Sequence, residues 1–237
     1  MSGMDLWQSY AQAGYDGLME LASYRNHLLA VVDHAQVGNG MRVLDAGCGT
    51  GNLLWGLHQR GIKADVHCVD GSTAMIELAR QKAAQYESFG GTADVQQADL
   101  AELITKRPFD RIISSNVLYA VPEPVRIVKG LAATARAGTR LVASTPGTKP
   151  DMNAILTEHL DLAAPAEPAR QQEKSRIMTL LRPLIAPNEA IVANAKYHFV
   201  NETSLRDWFD PSEWRIASIN QVYGSPPQNW LVVAQRI

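Results

Sequence analysis

The sequence predicts an α/β fold in which helices cover both faces of a doubly wound, mostly parallel sheet. From residue 42 onward, short apolar segments alternate with helical segments. A glycine-rich turn follows the first apolar segment, and acidic residues stand at the ends of the next two. Strands that are separated by helices pair in parallel, and a parallel sheet is covered on both faces. Ligands of such sheets bind beyond the carboxyl ends of the strands, so we expect the functional site there.

The elements follow from hydrophobic periodicity and from turn residues. Period-two apolar runs predict five strands, at 42–46, 65–70, 93–98, 109–114 and 138–145. Apolar spacing of three and four predicts helices at 51–59, 72–86 and 124–136, the last with Pro124 in its first turn. A helix near 202–209 precedes two further strands, 214–222 and 230–235, and the segment GSPPQ at 224–228 forms the turn between them.

Two helical regions lie outside this alternation. Residues 5–35 read as one or two amphipathic helices before the first strand, and residues 146–190 read as helices punctuated by prolines. A long insertion of this kind is the natural place for a lid. We therefore expect a single domain over 1–237, with a cap at 5–35, a ligand-binding core at 36–145, a lid at 146–198 and a closing helix and strand pair at 199–237.

Composition narrows the classes of function. The chain has 237 residues, a net charge of −2 and 46% hydrophobic residues, without a basic stripe for nucleic acid. Its apolar runs are too short to span a membrane, and the first basic residue, Arg25, comes too late for a secretory signal. Cys48 and Cys68 match no metal or redox spacing. We expect a cytoplasmic protein without a metal site and without a nucleic-acid partner.

The most informative stretch is VLDAGCGTGNL, residues 43–53. Glycines at 47, 49 and 51 let the backbone turn sharply and approach a ligand, and free N–H groups at a helix start favour an anionic group. A dinucleotide fingerprint would need glycine at 52, where this chain has Asn52. Two roles stay open for Asp45: it contacts the ligand, or it accepts hydrogen bonds from the backbone of the glycine loop and does not touch the ligand.

Acidic residues also end the second strand and follow the third. Asp70, in VHCVDGST, lies where a carboxylate reaches ribose hydroxyls in nucleoside-binding sheets. Asp99, in QQADL, is able to accept a hydrogen bond from an adenine amino group, and Leu100 and Met75 offer apolar surface to the ring.

In this order, the glycine loop, VHCVDGST, QQADL, FDRIISSNVLYAVPEP and RAGTRLVAST resemble the class I S-adenosylmethionine-dependent methyltransferases, closest to the ubiquinone and menaquinone methylases. The resemblance implies a Rossmann-like, seven-stranded sheet with an antiparallel last strand. It implies S-adenosyl-L-methionine as cofactor, S-adenosyl-L-homocysteine as product and a small-molecule acceptor. The residues that it assigns to the cofactor are Tyr10, Tyr15, Asp45, Gly47, Cys48, Gly49, Gly51, Asp70, Gly71, Ser72, Met75, Asp99, Leu100 and Asn116.

The candidates for catalysis are Tyr119, His198 and Tyr15. Tyr119 and the following alanine stand where the family often has two histidines, so a phenol replaces one candidate base. His159 is a further candidate, although a structural role is expected for it. Methyl transfer proceeds in line, so orientation supplies most of the acceleration, and a base is needed only when the acceptor must lose a proton.

Three other functions stay open at this stage. They are another group transfer from a related cofactor, methylation of a protein or peptide, and cofactor binding without catalysis. The oligomeric state, monomer or homodimer, is open as well.

Overall fold

The computed structural model describes residues 3–193 and 196–237. Its sheet has seven strands in the order β3-β2-β1-β4-β5-β7-β6. The pairs β1–β2, β2–β3, β1–β4 and β4–β5 are parallel, whereas β7 runs antiparallel to both β5 and β6. This confirms the predicted fold class. The strands are β1 (Arg42–Ala46), β2 (Asp65–Asp70), β3 (Thr92–Gln97), β4 (Phe109–Ser115), β5 (Ala135–Pro146), β6 (Trp214–Val222) and β7 (Asn229–Arg236).

Helices connect the strands and flank the sheet. Several begin at a capping side chain: Ser72 accepts the backbone N–H of Met75 at the start of α4, and Asp151 accepts that of Asn153 at the start of α6. The α-helices of the described residues are α1 (Gly3–Gln12), α2 (Ala22–Ala35), α3 (Asn52–Gln59), α4 (Thr73–Ser88), α5 (Pro124–Ala133), α6 (Met152–Ala163), α7 (Ala169–Leu181), α8 (Ile185–Ala193) and α9 (Glu202–Arg206).

Several boundaries differ from the sequence prediction by a few residues, and one of them changes part of a predicted helix into a strand. The helix expected over 124–136 ends at Ala133, and β5 begins at Ala135 rather than at residue 138. The cause is a long-range pairing: Phe109 of β4 pairs with Ala135 before the register shifts. The hydroxyl of Thr139 stabilises this irregularity, since it accepts the N–H of Arg136 and donates to the carbonyl of Phe109.

The central strands of the sheet are buried on both faces. Val43 and Ile113 pack into the apolar cluster on one face, while their neighbours Leu44 and Ile112 pack into the cluster on the other. All four side chains are fully buried. Successive strand residues point to opposite faces, so this continuous apolar run is what a parallel sheet between two helical layers requires.

A third apolar cluster joins the N-terminal helices to the helices inserted after β5. Leu21 and Leu28 of the N-terminal region meet Ile155 of α6 and Ile177 of α7 there. The carbonyl of Ile155 also accepts the hydroxyl of Ser23, at 3.1 Å. The two regions that lie outside the βα alternation therefore pack on each other. Within residues 3–193 and 196–237, no helix is long and apolar enough to cross a membrane.

Candidate functional site

A cavity of about 720 Å³ opens at the carboxyl ends of β1, β2 and β4. The glycine loop and the ends of these strands form its floor, and residues before β1 and after β4 form its walls. Of the residues assigned to the cofactor from sequence, those that line it are Tyr15, Asp45, Gly47, Cys48, Gly49, Asp70, Gly71, Ser72, Met75, Asp99, Leu100 and Asn116.

The three glycines of the loop have left-handed backbones for different reasons. At Gly47 (φ +80°) a Cβ would lie 2.3 Å from a methyl of Val117, so close packing against the segment after β4 excludes a side chain. At Gly51 (φ +80°) a Cβ would lie 3.2 Å from the Cα of Ala79 on α4. At Gly49 (φ +53°) a Cβ would meet no atom within 4 Å. Gly47 and Gly51 thus serve packing, and Gly49 leaves its side of the loop free for a ligand.

Asp70 ties the end of β2 to the glycine loop. One carboxylate oxygen accepts the N–H of Gly49 at 2.9 Å, and the other accepts the N–H of Ser72 at 2.8 Å. Burial raises the pKa of Asp70, and these backbone hydrogen bonds oppose the rise. Each oxygen keeps a second lone pair, so the carboxylate is able to accept further hydrogen bonds from a ligand.

Asp45, at the end of β1, is the more unusual acid. Its side chain is 3% exposed, and its Oδ2 has no hydrogen-bond partner. Burial, with the negative charge of Asp70 as a smaller cause, raises the pKa of Asp45 to about 8. A buried carboxyl group without a partner is costly, and a cation placed beside it would remove that cost. The arrangement therefore suits a positively charged ligand group.

The far side of the cavity lies beyond β2 and β3. The carboxylate of Asp99 accepts the N–H of Ala101 at 2.8 Å, and its side chain is exposed at the cavity edge. Leu100 and Met75 are buried and offer apolar surface nearby. This combination fits a flat, partly polar ring.

Aromatic side chains form the opposite wall. Trp7, Tyr15 and Tyr24 come from the residues before β1, and Tyr197 comes from the segment after α8. The hydroxyls of Tyr15 and Tyr24 are 3.3 Å apart. Burial raises the pKa of both phenols, so they are neutral near pH 7. The wall offers apolar ring faces together with neutral hydroxyl groups.

Asn116 follows β4 in a left-handed conformation, φ +58°. Its side-chain oxygen accepts the amide N–H of Asn229 at 2.7 Å, and its backbone N–H donates to the carbonyl of Ser144. An asparagine tolerates this backbone better than most residues. These bonds hold Asn116 at the cavity floor.

Four of the predicted residues do not line the cavity. Gly51 packs on α4, and Tyr10 is buried between the rings of Trp7 and Tyr15. Tyr119 is 6% exposed and packs on the rings of Tyr197 and Phe199. The fourth residue, His198, donates from Nε2 to the carbonyl of Pro122 at 3.2 Å.

His159 also has a structural place. Its Nδ1 accepts the N–H of Ala22 at 2.9 Å, which leaves Nε2 to donate to Glu173 at 3.0 Å. This buried ring joins α6 to α2 and α7.

The structure adds residues that the sequence reasoning did not select. Ser115 lines the cavity, and its hydroxyl is 3.1 Å from that of Ser144. Ser144 in turn is 3.0 Å from Nε2 of His27 on α2, whose pKa burial lowers to about 4. Ser115 and Ser144 are 88 and 117 positions away from His27 in the sequence, so no local spacing could have predicted that the three residues meet.

Asn52 is a second addition. It is the first residue of α3, is 4% exposed and donates from its amide to the hydroxyl of Tyr24 at 3.3 Å. Its place directly after the third glycine was the available signal, but the sequence reasoning used Asn52 only to exclude a dinucleotide fingerprint. In the part of the chain that is described, no cluster of three or more His, Cys, Asp or Glu side chains is placed to hold a metal ion.

Comparison with known proteins agrees with this geometry. A family model described as a methyltransferase domain matches residues 38–183. Among curated proteins, a ubiquinone biosynthesis O-methyltransferase of Alkalilimnicola ehrlichii is 32% identical over 111 residues, which are 47% of this chain and 44% of that protein. The chain thus spans less than half the length of the curated relative it matches.

Solved structures share the fold at low identity. Magnesium protoporphyrin IX methyltransferase from Synechocystis PCC 6803, with bound SAH, has a TM-score of 0.60 at 21% identity, covering 91% of this chain and 84% of that one. A chain from the complex between the Haloferax volcanii Trm112 methyltransferase activator and a methyltransferase has a TM-score of 0.67 at 15% identity, covering 99% and 97%.

The family match covers the glycine loop, both acidic strand ends and most of the inserted helices, which is more than half of the chain. It confirms the resemblance drawn from the five sequence motifs. The chain belongs to the methyltransferase domain family.

Proposed function

We propose that the protein is an S-adenosyl-L-methionine-dependent methyltransferase that acts on a small organic acceptor at O, N or C and releases S-adenosyl-L-homocysteine. One observation carries the proposal. Two acids, the buried Asp45 and the half-buried Asp70, lie near each other at the glycine loop, in a cavity whose opposite wall is aromatic. The two acids suit a ligand with a positive charge and hydroxyl groups. The aromatic wall suits an apolar molecule on the other side of the same cavity.

The residues present fit this cofactor. The unpartnered oxygen of Asp45 suits the ammonium group of the methionyl part. The free lone pairs of Asp70 suit the ribose hydroxyls, and Asp99, Leu100 and Met75 suit the adenine ring. Gly49 leaves open space where any other residue would place a Cβ.

When bound, the cofactor supplies an electrophilic methyl group on a sulfonium sulfur. The chain contributes orientation and the exclusion of water, and orientation alone is able to supply about 7 to 11 kcal/mol. Of the three catalytic candidates, Tyr15 lines the cavity. Since burial keeps its phenol protonated near pH 7, we propose that Tyr15 positions the acceptor by a hydrogen bond and does not act as a base.

The acceptor is proposed to be a small molecule because a cavity of about 720 Å³ must hold it together with the cofactor. The aromatic wall favours an acceptor with an apolar or flat body. We also propose the reducing cytoplasm as its compartment, which the two free cysteines at 48 and 68 support. The N-terminal helices and the inserted helices are proposed to act as cap and lid of one domain.

Calorimetric titration of the purified protein with S-adenosylmethionine, S-adenosylhomocysteine and NAD tests the proposal without knowledge of the acceptor. Micromolar binding of the first two ligands and no binding of NAD would support it. Absence of binding by both adenosyl ligands would refute it. Incubation with phenols, amines, carboxylic acids and peptides, with detection of S-adenosylhomocysteine, then separates a small-molecule enzyme from a peptide enzyme and from a non-catalytic binder.

A further inference from the structure

Lys82, on α4, lies at the centre of a polar cluster beside the cavity. Its Nζ donates to Oδ1 of Asp16 at 2.7 Å, to Oγ1 of Thr50 at 2.9 Å and to Oδ1 of Asn52. An ammonium group has three donors, and each one finds an acceptor here. The Lys82 side chain is 21% exposed, and Thr50 and Asn52 are buried. Such complete hydrogen bonding fixes the partners of Lys82 relative to one another.

The cluster joins parts of the chain that are distant in sequence. Asp16 lies in a short 3-10 helix, Tyr15–Glu20, whereas Thr50 belongs to the glycine loop. The hydroxyl of Thr50 also donates to Asp16, at 2.6 Å. Lys82 and Thr50 together therefore fasten the N-terminal segment, residues 3–20, to the loop that forms the cavity floor.

The same cluster reaches the aromatic wall. The amide of Asn52, whose oxygen accepts from Lys82, donates to the hydroxyl of Tyr24. That hydroxyl is hydrogen-bonded to the hydroxyl of Tyr15, and all three of these residues line the cavity. Lys82 itself does not line the cavity, so it would act on a ligand through its partners.

The N-terminal segment lies over the cavity and is held by apolar contacts as well. Its residues Leu6, Tyr10 and Leu18 are buried in the third apolar cluster, and Glu20 forms an ion pair with Arg176 at 3.2 Å. Trp7 and Tyr15 of this segment line the cavity, and Ala11 packs with Ala74 and Met75 of α4 in a small apolar cluster. The apolar contacts join the segment to the inserted helices, whereas the Lys82 cluster joins it to the glycine loop. This polar attachment is partly exposed, so water is able to replace its hydrogen bonds when it opens.

We propose that Lys82 is a positioning residue that holds the N-terminal segment closed over the cofactor and orients Asn52 and the Tyr24–Tyr15 hydroxyl pair toward it. Lys82 thereby sets how long the cofactor stays bound. This inference rests on the proposed function for the choice of ligand.

Stopped-flow binding of S-adenosylhomocysteine to the full chain tests the role of Lys82. In Lys82→Met, which keeps the apolar stem and removes the charge, we expect dissociation to be at least about tenfold faster, with association changed by less than about threefold. The matched control is Arg60→Met. Arg60 forms an ion pair of similar length, 2.6 Å, with Asp33, and this pair joins α2 to the end of α3 without lining the cavity. Its dissociation rate should stay within about twofold of wild type.

Hydrogen exchange supplies a readout that general destabilisation would not reproduce. In Lys82→Met, peptides from residues 3–20 should exchange faster than in wild type, with and without ligand, while peptides from the sheet keep their rates. Asp16→Asn, a milder change at a partly exposed carboxylate, should give the same pattern. The double variant should be little worse than either single one, because both changes remove one attachment.

The outcomes are separable. Failure of wild type to bind S-adenosylhomocysteine refutes the proposed function, and exchange in residues 3–20 still tests the attachment. The inference is overturned if S-adenosylhomocysteine dissociates from Lys82→Met and from Asp16→Asn at the wild-type rate. Faster exchange throughout the chain, without a local effect at 3–20, overturns it as well, because Lys82 would then support the fold in general.

Discussion

Gly47 is the position in the glycine loop where one added methyl group should cost the fold most. In Gly47→Ala the new Cβ would lie 2.3 Å and 2.6 Å from the two methyl groups of Val117, and the backbone would keep φ +80°. An alanine in the left-handed region costs about 1–2 kcal/mol, and overpacking of a filled site costs about 1–3 kcal/mol. The free energy of unfolding should therefore fall by about 2–5 kcal/mol, a large part of the 5–15 kcal/mol usual for a domain.

Gly49→Ala is the matched control. Gly49 has φ +53°, but a Cβ there would meet no atom within 4 Å. Only the backbone cost of about 1–2 kcal/mol then applies. Because Gly49 lines the cavity, its variant should lose affinity for S-adenosylhomocysteine more than it loses stability.

Urea denaturation of both variants, with ligand affinity measured in parallel, checks this reasoning. Gly47→Ala combined with Val117→Ala should be less unstable than the sum of the two single effects, by at least about 1 kcal/mol, because the smaller side chain makes room for the new methyl. Equal destabilisation by Gly47→Ala and Gly49→Ala, or strict additivity with Val117→Ala, would refute the assignment of Gly47 to packing.

Three further predictions concern the acids and a tyrosine. Asp70→Ala should weaken S-adenosylhomocysteine binding at least about tenfold in calorimetry, because the ribose hydroxyls lose a half-buried charged acceptor. The control is Asp94→Ala, at an exposed carboxylate, and equal affinities of the two variants would contradict the role of Asp70. Because the pKa of Asp45 is about 8 before binding, pairing with a ligand cation requires loss of a proton, so affinity should rise between pH 6 and 7.5, by up to about tenfold per pH unit. Asp45→Asn should abolish that rise, and an unchanged slope in this variant would exclude Asp45 as its source. Tyr119→Phe should leave ligand affinity within about twofold of wild type, since Tyr119 packs behind the cavity wall; a large loss would place its hydroxyl in the site.

The elements that bear the cofactor motifs could be predicted closely from sequence. The bounds of β1 and β2 agree with the prediction: Asp45 is the last residue but one of β1, Asp70 is the last residue of β2, and both line the cavity. Local patterns are sufficient here, because apolar periodicity selects the strand and glycine permits the turn that follows it. A difference in the type of element appears at β5, where pairing between Phe109 and Ala135 extends a strand into a predicted helix.

The aromatic wall shows why the rest of the site could not be predicted. Tyr119 and Tyr197 belong to one ring cluster, yet Tyr197 lines the cavity and Tyr119 lies behind it. Both are buried aromatic residues, so neither composition nor periodicity distinguishes their roles. Both rings pack on Trp7, and Tyr119 also packs on Phe199, so the arrangement of the whole cluster, and no local pattern, places Tyr197 at the cavity.

The sequence by itself determined the alternating sheet, the glycine loop and the acids at its strand ends, because each depends on the conformation and burial of neighbouring residues. The tertiary structure alone decided how the N-terminal helices lie over that sheet. Ala22 binds His159, His27 binds Ser144, and Lys82 binds Asp16, across 137, 117 and 66 positions of the chain. Contacts over such separations depend on how whole helices dock, and that docking brings Tyr15, Tyr24 and Asn52 to one cavity.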